Sequence, residues 1–182
     1  MAIYLITGAP GVGKSTVVSR VVLKLRSEGV IVGGFVTVER RVRGERVGFT
    51  LEDLTHGESC ELASISATVG PRLGRYRVNV QNLSTVAVRS LTDAARLSEL
   101  IVVDEVGPME LLSPELKRAV SFVSSSGKPI LAVIHGRLKD DLLEALKSSA
   151  AYQEEVTLDN RESLPESLSS LLLDALRRSK AS

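Results

Sequence analysis

The sequence predicts an α/β fold: a mostly parallel sheet flanked by helices, with an inserted antiparallel β-hairpin. Two observations carry this. Short, wholly apolar runs ("AIYLIT", "LIVVDE", "PILAVIH") alternate with segments whose apolar residues recur at helical spacing, and strands buried on both faces between helices belong to a parallel sheet. By contrast, "VIVGGFVTVERR" and "ERVGFTLEDL" are separated only by the turn candidate Arg43-Gly44-Glu45, the pattern of an antiparallel hairpin.

"AIYLIT" is too short and too β-branched for a helix and reads as the first buried strand. From Lys14 to Arg26 the residues Val17, Val18, Val21, Val22 and Leu25 fall on one helical face, and Gly29 stops the helix. The hairpin follows. Between His56 and Val80 the pattern is weak, with "ESCELASI" and "GRYRVNV" as short strands. "STVAVRSLTDAARL" reads as a helix beginning near Leu83 or Ser84, and "LIVVDE" as a strand ending in carboxylates. Ser113-Pro114-Glu115 supplies an N-cap, a first-turn proline and an early acid for the helix "PELKRAVSFVSS". "PILAVIH" is the next strand, "DDLLEALKSS" a helix, and "EEVTL" a further strand candidate. Ser163-Leu164-Pro165-Glu166 has the form of a capping box that opens a last helix running to about Lys180. With 182 residues and no repeat, low-complexity tract or linker, residues 1–182 are expected to form one domain.

Between the first strand and the first helix lies "GAPGVGKST". It matches the phosphate-binding pattern G-x-x-x-x-G-K-[ST] in full, through Gly8, Gly13, Lys14 and Ser15. By composition alone the four fixed positions would match in about one chain in a hundred of this size, and the strand-to-helix placement makes chance rarer still. Glycines there let successive backbone N–H groups turn inward as an anion nest, and the helix that follows directs its positive end into the same space. Lys14 can reach the terminal phosphates, and the Ser15 hydroxyl can ligate Mg²⁺. Thr16 could reach the alpha phosphate or could merely cap the helix.

Magnesium needs an acid from a second strand, and "LIVVDE" supplies it. Asp104 stands where a carboxylate can hold Mg²⁺ through its water shell. Glu105 stands where a carboxylate can orient and deprotonate an attacking water. Other residues leave alternatives open. His135, at the end of a strand, could sense a gamma phosphate or be satisfied by backbone. His56 reads as a loop residue and Cys60 as a small, buried or half-buried one. Arg40, Arg41, Arg43 and Arg46 crowd the hairpin tip, where a charged edge that blocks strand pairing is the ordinary explanation. Arg72, Arg75, Arg77 or Arg137 could supply a charge-stabilising guanidinium. Asn160 and Arg161 could contact a base, with helix capping by Asn160 as the equal alternative.

Composition excludes several classes. A single cysteine rules out an intrachain disulfide and leaves a cysteine-based zinc site without ligands. A net charge of +1 and only six aromatic residues argue against a nucleic-acid-binding surface. No stretch approaches the ~18 apolar residues of a membrane span, and the first residues lack the basic segment of a signal peptide. The expectation is a cytoplasmic chain, with a monomer favoured. Scarce Cys, Met and Trp beside plentiful Arg and Glu lean towards a thermophilic source.

Three stretches together resemble a known family: "GAPGVGKST", "LIVVDEVGPMEL" and "LAVIH" are similar to the thermophile-type nucleoside-triphosphatases, whose vertebrate relative is the cancer-related nucleoside-triphosphatase. The run from Asp104 to Leu111 is the most specific, and "YRVNVQNL" (Tyr76 to Leu83) and "LDNR" (Leu158 to Arg161) also fit. The resemblance implies a RecA-like P-loop domain that hydrolyses ATP, GTP, CTP and UTP to diphosphate and phosphate, with Mg²⁺ and little base discrimination. It implies nucleotide contacts along Gly8, Ala9, Pro10, Gly11, Val12, Gly13, Lys14 and Ser15, and along Ile101, Val102, Val103, Asp104, Glu105, Val106, Gly107 and Pro108. Asp104 and Glu105 fall on its metal-side and water-side acids. A nucleotide or small-molecule kinase on the same scaffold is the alternative reading, and a nucleotide-dependent RNA binder a third.

Overall fold

The apolar runs pair side by side, as strands with no polar face must. In a computed structural model, which describes residues 2–180, β1 (Ile3–Gly8) lies between β8 (Ile130–Ile134) and β9 (Ala150–Val156), parallel to both. β7 (Leu100–Val106) lies on the far side of β8, and β2 (Val32–Val42) beyond it, again parallel. β1 and β7 are therefore not neighbours: β8 separates the strand that feeds the glycine loop from the strand that ends in acids.

The hairpin continues this sheet without a break. Val32 to Val36 of β2 pair with β7, and the same strand then runs on to pair antiparallel with β3 (Glu45–Asp53). Arg43 (φ 50°) and Gly44 (φ 84°) make the two-residue turn, the left-handed pair that matches strand twist in tight hairpins. β4 (Ser59–Ser64), β6 (Tyr76–Val78) and β5 (Arg72–Leu73) extend the antiparallel side, so the full order is β5-β6-β4-β3-β2-β7-β8-β1-β9.

Helices cover both faces. α1 (Lys14–Ser27) and α6 (Leu164–Lys180) bury Val17, Val18, Val21, Leu168 and Leu172 against Tyr4, Ile6, Val102 and Val133. On the other face, α2 (Val80–Asn82) runs through a π-helical segment (Leu83–Ala87) into α3 (Val88–Leu97), which packs with α4 (Pro114–Ser124) and α5 (Asp141–Ser149) over Leu5, Phe35, Val103 and Ala132. The alternation of β1, with odd positions on one face and even on the other, feeds both cores.

Three local expectations need adjustment and one holds. The helix expected from Leu83 starts three residues earlier, because the Asn79 side chain accepts from the Asn82 amide and caps it. β9 begins at Ala150, ahead of "EEVTL", and its alternate residues are exposed along the sheet edge. Ser113 does cap α4, accepting from the Leu116 amide. Ser163 does not form the expected capping box: its hydroxyl donates to Asn160 O, and the Glu166 carboxylate instead lies 3.8 Å from Lys24 Nζ of α1.

Glycine is required where β2 meets β7. Gly34 has φ 97°, and a Cβ there would lie 2.0 Å from Val102 O. Its carbonyl accepts from the Leu54 amide and lies 2.6 Å from Ser90 Oγ, which ties the strand to α3. Gly34→Ala is expected to cost more than about 3 kcal/mol in denaturant unfolding, whereas Gly44→Ala, strained in φ but facing open space, should cost only about 1–2 kcal/mol.

Candidate active site

The carboxyl ends of β1, β7 and β8 open into a cavity of about 1580 Å³, larger than the roughly 300–1,000 Å³ of a typical small-molecule site. Ligands in open α/β sheets bind at this end of the strands. The glycine loop forms one wall. Gly8 (φ 147°) must lack a side chain because a Cβ would sit 2.8 Å from Val156 O of the adjoining β9. Gly13 (φ 110°) is the N-cap of α1, no side chain caps the helix, and its first turn carries no acid. The first N–H groups of α1 are therefore left for an anion, with the helix dipole behind them.

Lys14 folds back over the loop. Its Nζ donates to Gly8 O (3.1 Å) and Ala9 O (3.3 Å) and lies 3.7 Å from Glu105 Oε2. Ala9, Pro10, Gly11, Ser15 and Thr16 line the cavity with it. Val12 does not. Its side chain packs towards the core beside α1 and its carbonyl accepts from Arg161 Nη1 at 3.5 Å.

Asp104 is the other pole. It is fully buried at the end of β7, and neither carboxylate oxygen has a hydrogen-bond partner. Burial pushes its carboxyl up to about 7; the Ser15 hydroxyl and Lys14 oppose the rise and Glu105 adds to it, though neither Ser15 nor Lys14 closes a hydrogen bond to it. An orphaned carboxylate beside a serine hydroxyl suits a hard divalent cation, which prefers oxygen and retains its waters. Ser15 and Asp104 thus fit Mg²⁺. Pairing between β7 and β8 skips Glu105, which leaves it partly exposed between two buried residues.

The rest of the Asp104 strand supports the site without lining it. Ile101, Val102 and Val103 are 0% exposed and Val106 is buried, so none presents a side chain to the cavity. They differ in this from the contacts implied by resemblance, because a central strand spends both its faces on the core. Gly107 does not line the cavity; Pro108 does.

Several cavity residues escape sequence reasoning. Glu110 is buried, accepts from the Gly107 amide at 3.1 Å, and is pushed by burial up to about 8, its own and the Gly107 amides opposing and Glu105 and Asp104 adding to the rise. Arg46, expected on a solvated edge, lines the cavity: it donates to Glu39 (2.7 Å) and to Tyr76 OH (3.0 Å), and its guanidinium lies 5.2 Å from the Phe49 ring centre. Arg40 pairs with Glu61 and Arg41 with Glu39, so much of the hairpin's positive charge is neutralised in place. Thr37 also lines the cavity, and its buried hydroxyl has no partner.

Of the remaining candidates, His135 lines the cavity and its Nδ1 accepts from the Leu138 amide (3.1 Å). Arg137 lines the cavity too. Arg75 and Arg77 do not line it, donating instead to Tyr76 OH and Gly70 O, and Arg72 is an exposed residue of β5. Asn160 caps its own loop, accepting from the Thr157 amide at 2.8 Å. His56 binds Asp53 (2.7 Å) in the turn after β3, remote from these groups in the fold. Cys60 is half-buried, and burial raises its thiol. No helix among the described residues is long and apolar enough to cross a membrane.

Both buried carboxyls bind protons more tightly folded than unfolded. Between about pH 4 and pH 8 the folded state therefore holds more protons, and stability falls as pH rises through that window. Thermal melts of the nucleotide-free protein should show a lower Tm at high than at low pH across that window. Glu110→Gln keeps an acceptor for the Gly107 amide, and it should flatten that decline.

Comparison with known proteins places this geometry. The NTPase family model matches residues 3–169. The nucleoside-triphosphatase THEP1 of Thermofilum pendens is 43% identical over 167 residues, covering 91% of this chain and 92% of its own length. That of Methanosarcina acetivorans is 39% identical over 174 residues, covering 94% and 97%. Among solved structures, THEP1 from the hyperthermophile Aquifex aeolicus superposes with a TM-score of 0.79 at 30% identity over 93% of this chain and 98% of its own. A human cancer-related nucleoside triphosphatase gives a TM-score of 0.75 at 29% identity, over 100% of this chain and 99% of its own.

Proposed function

The chain belongs to the NTPase family, and from that premise we propose that it hydrolyses nucleoside triphosphates to diphosphate and phosphate, requires Mg²⁺, and discriminates little among bases. The observation that carries the reading is the pairing, across one cavity, of an uncapped helix start and Lys14 with the orphaned carboxylate of Asp104.

The backbone amides at the start of α1 receive the beta and gamma phosphates, and Lys14 exchanges its carbonyl partners Gly8 and Ala9 for phosphate oxygens. The Ser15 hydroxyl and Asp104 would hold Mg²⁺, which when bound would supply positive charge against the developing phosphate charge. Asp104, ionised, would find in that cation the partner it lacks in the ligand-free site. Glu105, freed from Lys14, accepts the proton of the water that attacks the gamma phosphorus. His135 and Arg137 line the same cavity. The triphosphate carries the recognition, which agrees with little selection among ATP, GTP, CTP and UTP. The relatives are named as triphosphatases and not as kinases, and Glu105 gives a water-handling acid that transfer to a bound acceptor does not need.

The test is phosphate release from MgATP. Lys14→Ala should lower kcat/KM by about a hundredfold or more, the scale of a lost charge-stabilising donor. Glu105→Gln should bind nucleotide with unchanged affinity and turn over slowly. Equal rates in wild type and both variants would end the hypothesis. Independently, EDTA should abolish turnover, and Asp104→Asn should raise the Mg²⁺ concentration needed for half-maximal rate by about tenfold or more.

A further inference from the structure

Thr37 is the residue of this cavity for which neither the fold nor the phosphate chemistry accounts. It directly follows Val36, which is registered against Asp104 at the end of the β2–β7 pairing, and Glu105 directly follows Asp104, so the two residues stand just past the end of that pairing on adjoining strands, and both line the cavity. Its hydroxyl is buried, lacks any hydrogen-bond partner, and belongs to a residue that lines the cavity. Such a group is costly to bury while it stays unpaired. Valine has the same shape and favours a strand as strongly, so packing alone gives no reason for the oxygen.

Glu105 has the complementary need. In this structure its carboxylate is balanced by Lys14 at 3.7 Å. When a triphosphate takes Lys14, that balance is withdrawn at the moment the carboxylate has to be ionised and aimed. A replacement donor must come from an element that the nucleotide does not displace, and the adjoining strand of the sheet is such an element.

We propose that the Thr37 hydroxyl donates a hydrogen bond to the Glu105 carboxylate in the nucleotide-bound state, so that Thr37 is a positioning residue acting through Glu105. The inference rests on the reading of Glu105 as the acid that directs water. It explains why the hydroxyl is idle here: its acceptor is held by Lys14 until substrate arrives. A hydrogen bond to the ionised form also favours that form, as a general base requires.

The experiment measures kcat and KM for MgATP in four variants: Thr37→Val, Thr37→Ser, Glu105→Gln, and the double variant Thr37→Val with Glu105→Gln. Thr37→Val should lower kcat by about tenfold or more with KM within about twofold, and Thr37→Ser should restore kcat to within about threefold of wild type. In the Glu105→Gln background Thr37→Val should cause no further loss, because the two residues act as one unit. Thermal melts should show Thr37→Val at least as stable as wild type, which separates the effect from damage to the fold. Wild-type kcat in Thr37→Val beside a slow Glu105→Gln would overturn this inference alone, as would a loss that multiplies fully onto Glu105→Gln. A wild-type rate in Glu105→Gln would overturn the reading of Glu105 and this inference with it.

Discussion

A carboxylate sealed from solvent by its own strand and without a hydrogen-bond partner is the constraint on which the rest of this molecule turns. Asp104 is placed at the end of a strand whose two faces are both occupied by core, so neither oxygen reaches solvent or a donor. A buried, unpaired charge is among the more expensive things a protein can hold. The chain offsets the cost by raising the affinity of the carboxyl for a proton, and a bound cation would offset it differently. The parallel order β2-β7-β8-β1 is what allows this, because it seals β7 on both sides while bringing its end level with the glycine loop.

Around that point the ligand-free arrangement is internally compensated. Lys14 donates to the carbonyls of its own loop and balances Glu105; Glu110 is held by the Gly107 amide; Arg46 is neutralised by Glu39. For Lys14, phosphate oxygens would be stronger partners than the neutral carbonyls of Gly8 and Ala9 that it now holds, since charge-assisted contacts to phosphate exceed those to a neutral carbonyl. The site is built to exchange partners.

Much of this was legible in the sequence, for physical reasons that differ by element. The glycine loop was readable because its geometry is local: Gly8, Gly13, Lys14 and Ser15 lie within a few residues, and no distant strand is needed to assemble them. The caps of α4 and the turn at Arg43-Gly44 are local in the same sense. Asp104 was readable because acids closing an apolar run mark the end of a buried strand, where the chain leaves the core. Arg46 was misplaced because its surroundings, Phe49, Tyr76 and Glu39, come from three strands whose register no short pattern records. The capping box at Ser163 failed because a loop carbonyl at Asn160 and a cation on α1 compete for the same two side chains.

By itself, then, the sequence determined the alternation of strands and helices, the anion-binding turn, the acids at the end of a buried strand, and the family to which they belong. These follow from periodicity, backbone freedom and residue chemistry over short spans. Only the tertiary structure decided that β8 would separate β1 from β7, that Ile101 to Val103 would be scaffold, and that Thr37, Arg46 and Glu110 would face the same space as Lys14. Those outcomes depend on which strands pair and in what register, and that choice is made by the collective burial of residues far apart in the chain.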